Sequence, residues 1–261
     1  MNKRLGRAIS AAVLSLVVSL GFVFGKAESV FASTVAVSPV NIFLTTDTPS
    51  ALLTLTNQGS ERVTFEISLY SWNQTNAGAM QLAPTPDIVF FPSLVTLNPG
   101  EARNIRIGTV VKPADVEKSY RLFLEELPSP RTRATDRGRL QVRLLSKISL
   151  PVFLVPDKVR FNTSISEVTV HHRALSFKIN NNGTAHIIPE AVNVSAKDNA
   201  GTVLFQRAAI VWYILPGESS KVDVDLPART CAQIRLLSIS LETDTEVVKK
   251  SFAPSTGACT R

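Results

Sequence analysis

The sequence predicts an all-β protein, and three observations carry that prediction. Apolar residues recur at every second position in short runs, as in Val63, Phe65, Ile67 and Leu69. Turn-forming clusters such as Asn57-Gln58-Gly59-Ser60 and Pro99-Gly100 separate these runs. After residue 32 no stretch requires the spacing of an amphipathic helix. Strand side chains alternate between two faces, so period-two runs broken by turn residues read as half-buried strands.

Residues 1–32 read as an export signal that is removed before folding. Lys3, Arg4 and Arg7 form a positive start, Ala11 to Phe24 is an uncharged apolar run, and Val30-Phe31-Ala32 offers small residues for cleavage before Ser33. A cut after Ala27 or retention as an anchor are the alternatives, although the run is short for a bilayer core of ~30 Å. Four of the 28 basic and one of the 21 acidic residues lie in this segment, which leaves 24 against 20, a formal charge of +4. Apolar residues make up 44% of the chain and charged residues 19%; that is enough apolar surface for packed cores and argues against global disorder.

The first strand is interrupted. Val35 and Val37 precede Pro39, and Ile42 and Leu44 follow it, which suits an edge or a switch between sheets because proline has no N–H to donate to a ladder. Ala51 to Thr56, the Val63 to Leu69 run with Trp72 close behind, Ile88 to Phe91, Val95 with Leu97, Ile105 with Ile107, and Tyr120 with Leu122 and Leu124 follow. A break at Pro156-Asp157-Lys158 precedes a second set: Val168 and Val170, Leu175 to Ile179, Val192 and Val194, Val203 and Phe205, Val222 and Val224, Ile234 to Leu241, and Val247 to Phe252. At 261 residues the chain suits two domains. Short strands at this spacing predict two immunoglobulin-like β-sandwiches, 33–155 and 156–261, joined by a short hinge.

The stretch RLQVRLLSKISLPVFLVP at 139–156 carries the functional question. Leu140, Val142 and Leu144 alternate, a basic residue intervenes, and Ile148, Leu150, Val152 and Leu154 resume the alternation. Either all of these fill the first core, or the first three wait along a sheet edge for another chain. Arg131, Arg133, Arg137, Arg139, Arg143 and Lys147 lie in the same region with only Asp136 for company, which reads as a mobile basic arm. The missing interleaved aromatics and the export signal argue against nucleic acid as a partner.

Cys231 and Cys259 are the only cysteines. In the oxidising compartment that an export signal implies, they pair most simply as one disulfide. Enzyme chemistry finds little support. His171, His172 and His186 are expected at the surface, since neighbours on a strand point to opposite faces and do not converge on a metal. There is no GxSxG elbow or CxxC pair to place a nucleophile, and Glu125 and Glu126, being adjacent, diverge. The sequence predicts no catalytic residue, metal, cofactor or small-molecule substrate.

Four segments agree in order and spacing with one known family: VSPVNIFL at 37–44, PDIVFFPSLVTLNPGEARNIRI at 86–107, SYRLFLEELP at 119–128 and LQVRLLSKISLPVFLVP at 140–156. They resemble the periplasmic pilus-assembly chaperones of the chaperone–usher pathway; NNNGTAHIIPEAVNV at 180–194 resembles their second domain more loosely. The resemblance implies a periplasmic chaperone that completes pilus subunits lacking a strand, by β-augmentation with alternating apolar side chains, and that delivers them to an outer-membrane usher. The matching donor positions are Leu140, Val142 and Leu144.

In the best-known branch an arginine in the first strand and a lysine late in the last strand of the first domain hold the subunit's terminal carboxylate. Here those positions are Asn41 and Ser149. With SKISLPVF, the pattern is similar to the archaic, Csu-type branch, which points to Arg121 and Lys147 as the carboxylate anchor with Asn41 as a neutral partner. The competing reading for each cation is an ordinary surface pair with Glu125 or Glu126. An exported structural or adhesive immunoglobulin-like surface protein is the alternative function. Which subunits are bound, and whether the free chaperone caps its edge by self-association, stay open.

Overall fold

The computed structural model describes residues 35–75, 78–128 and 144–255 together with Cys259. The export signal at 1–32 and the donor positions Leu140 and Val142 lie outside the described residues, as does most of the basic arm.

Alternation becomes strand in the expected places. The first sandwich is built from β1 (Val35–Ser38), β2 (Ile42–Leu44), β3 (Ser50–Asn57), β4 (Val63–Gln74), β5 (Met80–Ala83), β6 (Ile88–Phe91), β7 (Leu94–Leu97), β8 (Ala102–Thr109), β9 (Lys118–Glu126) and β10 (Lys147–Leu154). One sheet runs β1-β3-β8-β6; the other runs β2-β10-β9-β4-β5, with β7 also on β4. Between them Leu53, Leu55, Ile105 and Ile107 meet Phe65, Ile67, Leu122, Leu124, Leu150 and Leu154 in one buried cluster. Each such side chain contributes roughly 1.5–3 kcal/mol by leaving water. The chain switches sheets at Pro39 as expected: β1 pairs antiparallel with β3, whereas β2 pairs parallel with β10. Strand β5 has no counterpart in the sequence reading, because its apolar alternation is a single pair, Met80 and Leu82, and all four of its residues are exposed.

The second sandwich comprises β11 (Thr163–His171), β12 (Ala174–Asn181), β13 (Ala191–Lys197), β14 (Val203–Ala209), β15 (Ser219–Asp225), β16 (Leu236–Glu242) and β17 (Val247–Phe252). Its sheets run β11-β12-β15 and β14-β13-β16-β17, around Phe177, Ile179, Val192, Val194, Ile239 and Leu241. The strand expected from Ile234 begins instead at Leu236, after a single 3-10 turn at Cys231–Gln233. Cys231 and Cys259 are joined, 28 residues apart; closing a loop of that length stabilises by roughly 3–4 kcal/mol in the chain-entropy model.

Both sandwiches use one turn device. Asn57 ends β3, and its side chain donates to the carbonyls of Glu61 (2.7 Å) and Leu97 (3.3 Å) while accepting from Gly59 N (2.9 Å). Asn181 ends β12 and does the same with Ala185 (2.8 Å), Ile214 (2.9 Å) and Gly183 N (2.9 Å). An asparagine side chain so placed imitates a backbone turn. At Gly183 a Cβ would stand 2.5 Å from the Arg160 carbonyl oxygen, so only glycine fits.

The histidines depart from expectation in two ways. His172 sits at φ +47° in the tight turn between β11 and β12, beside Arg173 at φ +66°. That turn breaks strand alternation and brings the His171 and His172 rings to 3.9 Å. They remain exposed, and among the described residues no group of three metal-ligating side chains forms. His186, expected at the surface, has a side chain only 12% exposed.

Candidate functional site

On β9, Tyr120, Leu122 and Leu124 point into the first core. Arg121, Phe123 and Glu125 therefore take the outer face. In register, Arg121 lies between Tyr70 on β4 and Pro151 on β10. An arginine on an outer face should be in water, yet Arg121 is 2% exposed. The reason is the second sandwich, whose segment after β14 lies across this face.

Three rings surround the guanidinium. Its Cζ lies 3.9 Å from the Trp72 centroid, 4.4 Å from Trp212 and 5.5 Å from Tyr213, distances at which a cation is attracted to ring faces. Arg121 Nε and Nη2 are sealed from solvent with no hydrogen-bond partner among the described residues, and so is Trp72 Nε1. Burial lowers the guanidinium pKa to about 10, with the Tyr213 phenol acting the other way, so it stays charged at neutral pH. Burial raises the Tyr213 pKa in turn. The cluster is rich in donors and, among the described residues, offers Arg121 Nε and Nη2 no acceptor.

The surrounding contacts fasten one sandwich to the other. Gln74, at the end of β4, donates to the Tyr213 carbonyl (2.8 Å) and accepts from Leu215 N (2.9 Å). Tyr213 Oη donates to Asn41 Oδ1 at 3.1 Å. Trp72, Phe153 and Leu215 form a small buried apolar cluster of their own. His186 stacks on Phe153 with centroids 3.7 Å apart, and its Nδ1 lies 2.9 Å from both carboxylate oxygens of Glu117. Glu117 N donates to the Thr184 carbonyl at 2.9 Å, and His186 N donates to Glu117 Oε1 at 3.2 Å.

The proposed anchor residues are thus only partly brought together. Asn41 reaches Arg121 indirectly, through Tyr213. Lys147 shares the outer face, but the register pairs it with Glu125 and pairs Arg121 with Pro151, four residues along, or ~13 Å at strand rise. Its ammonium lies 2.7 Å from Glu125 Oε1 and 4.9 Å above the Phe123 ring, an exposed pair of the kind that contributes little. Leu144, the one donor position among the described residues, is 68% exposed. Glu126, unlike Glu125, is buried and accepts from Ser146 N at 3.1 Å.

Strand β10 adds the second element of the site. On one side it pairs with β9 from Lys147 to Leu154; on the other it pairs with β2 only from Val152 to Leu154. Among the described residues, Lys147–Pro151 has no strand on that side. The open backbone edge therefore ends beside Arg121. As site residues, Trp72, Gln74, Glu117, His186, Trp212 and Tyr213 escaped the sequence reading, which placed Trp72 only behind a strand and His186 only at the surface. The one visible signal was Gln74, a polar residue at the end of a long apolar alternation.

Residues 34–160 match the family model for the pili and flagellar-assembly chaperone, PapD N-terminal domain. Among solved structures, the fold is similar to the class 5 fimbriae chaperone CfaA, at 15% identity and a TM-score of 0.56 over 85% of this chain and 100% of that one. It is also similar to a chain of the Salmonella enterica SafA pilin–SafB chaperone complex, at 14% and 0.54 over 85% and 97%. A third similar chain comes from the CsuC–CsuE chaperone–tip adhesion subunit pre-assembly complex of archaic chaperone–usher Csu pili in Acinetobacter baumannii, at 16% and 0.50 over 74% and 91%. At these identities the likeness is one of fold. No curated protein matches the sequence.

Proposed function

We propose, from a first sandwich that matches the pili and flagellar-assembly chaperone family across its whole extent, that this chain is a periplasmic chaperone of pilus subunits, a binding protein and not an enzyme. One observation carries the reading: a charged guanidinium is buried at the end of an open strand edge, its Nε and Nη2 without an acceptor among the described residues. An unpaired buried charge is costly. A carboxylate arriving from another chain would remove that cost through two charge-assisted hydrogen bonds.

In this reading Arg121 holds the terminal carboxylate of a subunit, and Asn41 supports it by holding Tyr213. Lys147, further along the same face, is the second cation. The subunit's last strand pairs with the open edge of β10. Leu144, Val142 and Leu140 continue the alternation of Ile148 and Leu150 beyond Glu126, the last residue of β9, and enter the subunit's incomplete sandwich. Covering such a groove and edge keeps the subunit from aggregating. Neutral Asn41 and Ser149, with Arg121 one strand away, favour the archaic Csu-type branch, and delivery to an outer-membrane usher is the step that follows in that pathway. The signal-like residues 1–32 and the disulfide both accord with the periplasm.

Affinity purification of the tagged chaperone from periplasm, with and without Arg121→Ala, tests this. The expected result is a small β-rich subunit that is insoluble alone, recovered with the parent protein and lost from the variant. A protein recovered alone, or one displayed at the cell surface, would instead favour an exported structural or adhesive role.

A further inference from the structure

We propose that Trp212 of the second sandwich is a lid over Arg121, which must swing aside before a carboxylate can reach the guanidinium; this rests on Arg121 being the anchor. As it stands the site is closed. Arg121 is 2% exposed, and its Nε and Nη2, one edge through which a guanidinium holds a carboxylate by two bonds, are sealed. One wall has to open.

The three walls are not held alike. Trp72 belongs to β4, where it pairs with Leu82 of β5, and it is 1% exposed. Tyr213 is tied at both ends, by its carbonyl to Gln74 and by its hydroxyl to Asn41. Trp212 is 51% exposed and makes no side-chain hydrogen bond among the described residues. Residues 210–212 lie between the end of β14 and the Gln74 clamp, in irregular backbone without a backbone hydrogen bond among the described residues. Ile210, at the start of this segment, is fully exposed. Trp212 can therefore rotate away at the loss of its contact to the cation and its ring contacts to Trp72 (5.8 Å) and Tyr213 (5.4 Å), while Trp72 or Tyr213 would also have to break strand pairing or hydrogen bonds.

The exchange is chemically balanced in favour of opening only when a carboxylate arrives. A ring face satisfies the charge of the guanidinium but accepts no directed hydrogen bond from its two idle donors; a carboxylate does both. The lid keeps Arg121 out of water in the free protein and yields to the subunit's end. The carboxylate anchor would be assembled by both sandwiches, since the second supplies its cover.

Arginine footprinting with phenylglyoxal, read by mass spectrometry, tests the lid without a subunit. In the parent protein Arg121 should be protected while exposed Arg106 reacts. In Trp212→Ala, with an unchanged melting temperature, Arg121 should react on the order of tenfold faster, the scale of one cation–π contact. Arg121 still protected in the folded variant, or reacting like Arg106 in the parent, overturns the proposal. Trp212→Leu keeps the apolar contact without the ring face and is read by the same two criteria if alanine loosens the segment. Subunit capture by Arg121→Ala separates the two readings: unimpaired capture removes the anchor, whereas failed capture with no opening in Trp212→Ala removes the lid alone.

Discussion

Phe153 and His186 lie face to face across the two sandwiches, with centroids 3.7 Å apart and planes within 10° of parallel. Phe153 takes the outer face of β10, and His186 reaches it from the second sandwich with its Nδ1 held by the buried carboxylate of Glu117. Stacking and hydrogen bonding thus act on one imidazole.

Removing that imidazole should loosen the pair of sandwiches more than either core. His186→Ala leaves the buried Glu117 carboxylate without its ring donor, a loss of about 1–3 kcal/mol on the scale of a buried acceptor left short of a partner. Denaturant unfolding should show the loss, and limited proteolysis should cut between the sandwiches. A Glu117→Gln, His186→Ala cycle should return a coupling of about 1–3 kcal/mol; additivity would mean that the contact is incidental.

Arg121 should be a residue kept at the expense of stability. Lowering its pKa by burial from the ordinary guanidinium range to about 10 costs the folded state about 3 kcal/mol at neutral pH, at about 1.4 kcal/mol per pH unit. Ring contacts offset about 1–2 kcal/mol of this. Arg121→Met, which fills the same slot without charge, should melt at the same or a higher temperature and still fail to capture subunits. A variant that unfolds would show that the guanidinium is structural.

Leu144 and Leu150 share a strand parity but not a fate. Leu150 is 5% exposed in the first core and Leu144 is 68% exposed. Leu150→Ala should cost ~2–5 kcal/mol of stability. Leu144→Ala, alone or with Val142→Ala, should leave the melting curve in place, because a side chain already in water leaves no cavity, while recovery of soluble subunit falls. A large drop in melting temperature for Leu144→Ala would reverse the assignment of faces.

Asp87 links the two sheets of the first sandwich and makes that link sensitive to acid. Lys118 Nζ lies 3.0 Å and Tyr120 Oη 2.8 Å from Asp87 Oδ2, and these two bonds hold its carboxyl below the usual carboxylate range. A folded pKa below the unfolded one adds stability that is complete above the unfolded value of about 3.9 and is lost as pH falls through the folded value. Asp87→Asn should therefore be less stable than the parent at pH 7 by about 1 kcal/mol, on the scale of a hydrogen bond to a charged group at a partly exposed site. The gap should shrink below pH of about 4; a gap independent of pH would assign the effect to shape.

Much of the fold was legible because it is written locally. Alternation announced the strands, Pro39 the change of sheet, and Asn57-Gln58-Gly59-Ser60 and Pro99-Gly100 the turns, since each depends only on neighbours in the chain. The disulfide was legible because only two cysteines were present to pair. Strand β5 was not, because a four-residue exposed strand offers only one apolar pair, Met80 and Leu82, too short to read as a period. Nor was the closeness of His171 and His172, which a turn and not a strand decides.

By itself the sequence determined which face of each strand its residues take, and so put Arg121, Phe153 and Trp72 outside the first core. Tertiary structure alone decided what stands against that face. Trp72 and Gln74 meet Tyr213 and Leu215 across more than a hundred residues of chain, and Trp212 closes over Arg121 from the second sandwich. A period of two distinguishes inside from outside within one sandwich, but it holds no information about a second surface docking on the first. That docking turned an outward arginine into a buried, unpaired cation, and the candidate site exists only there.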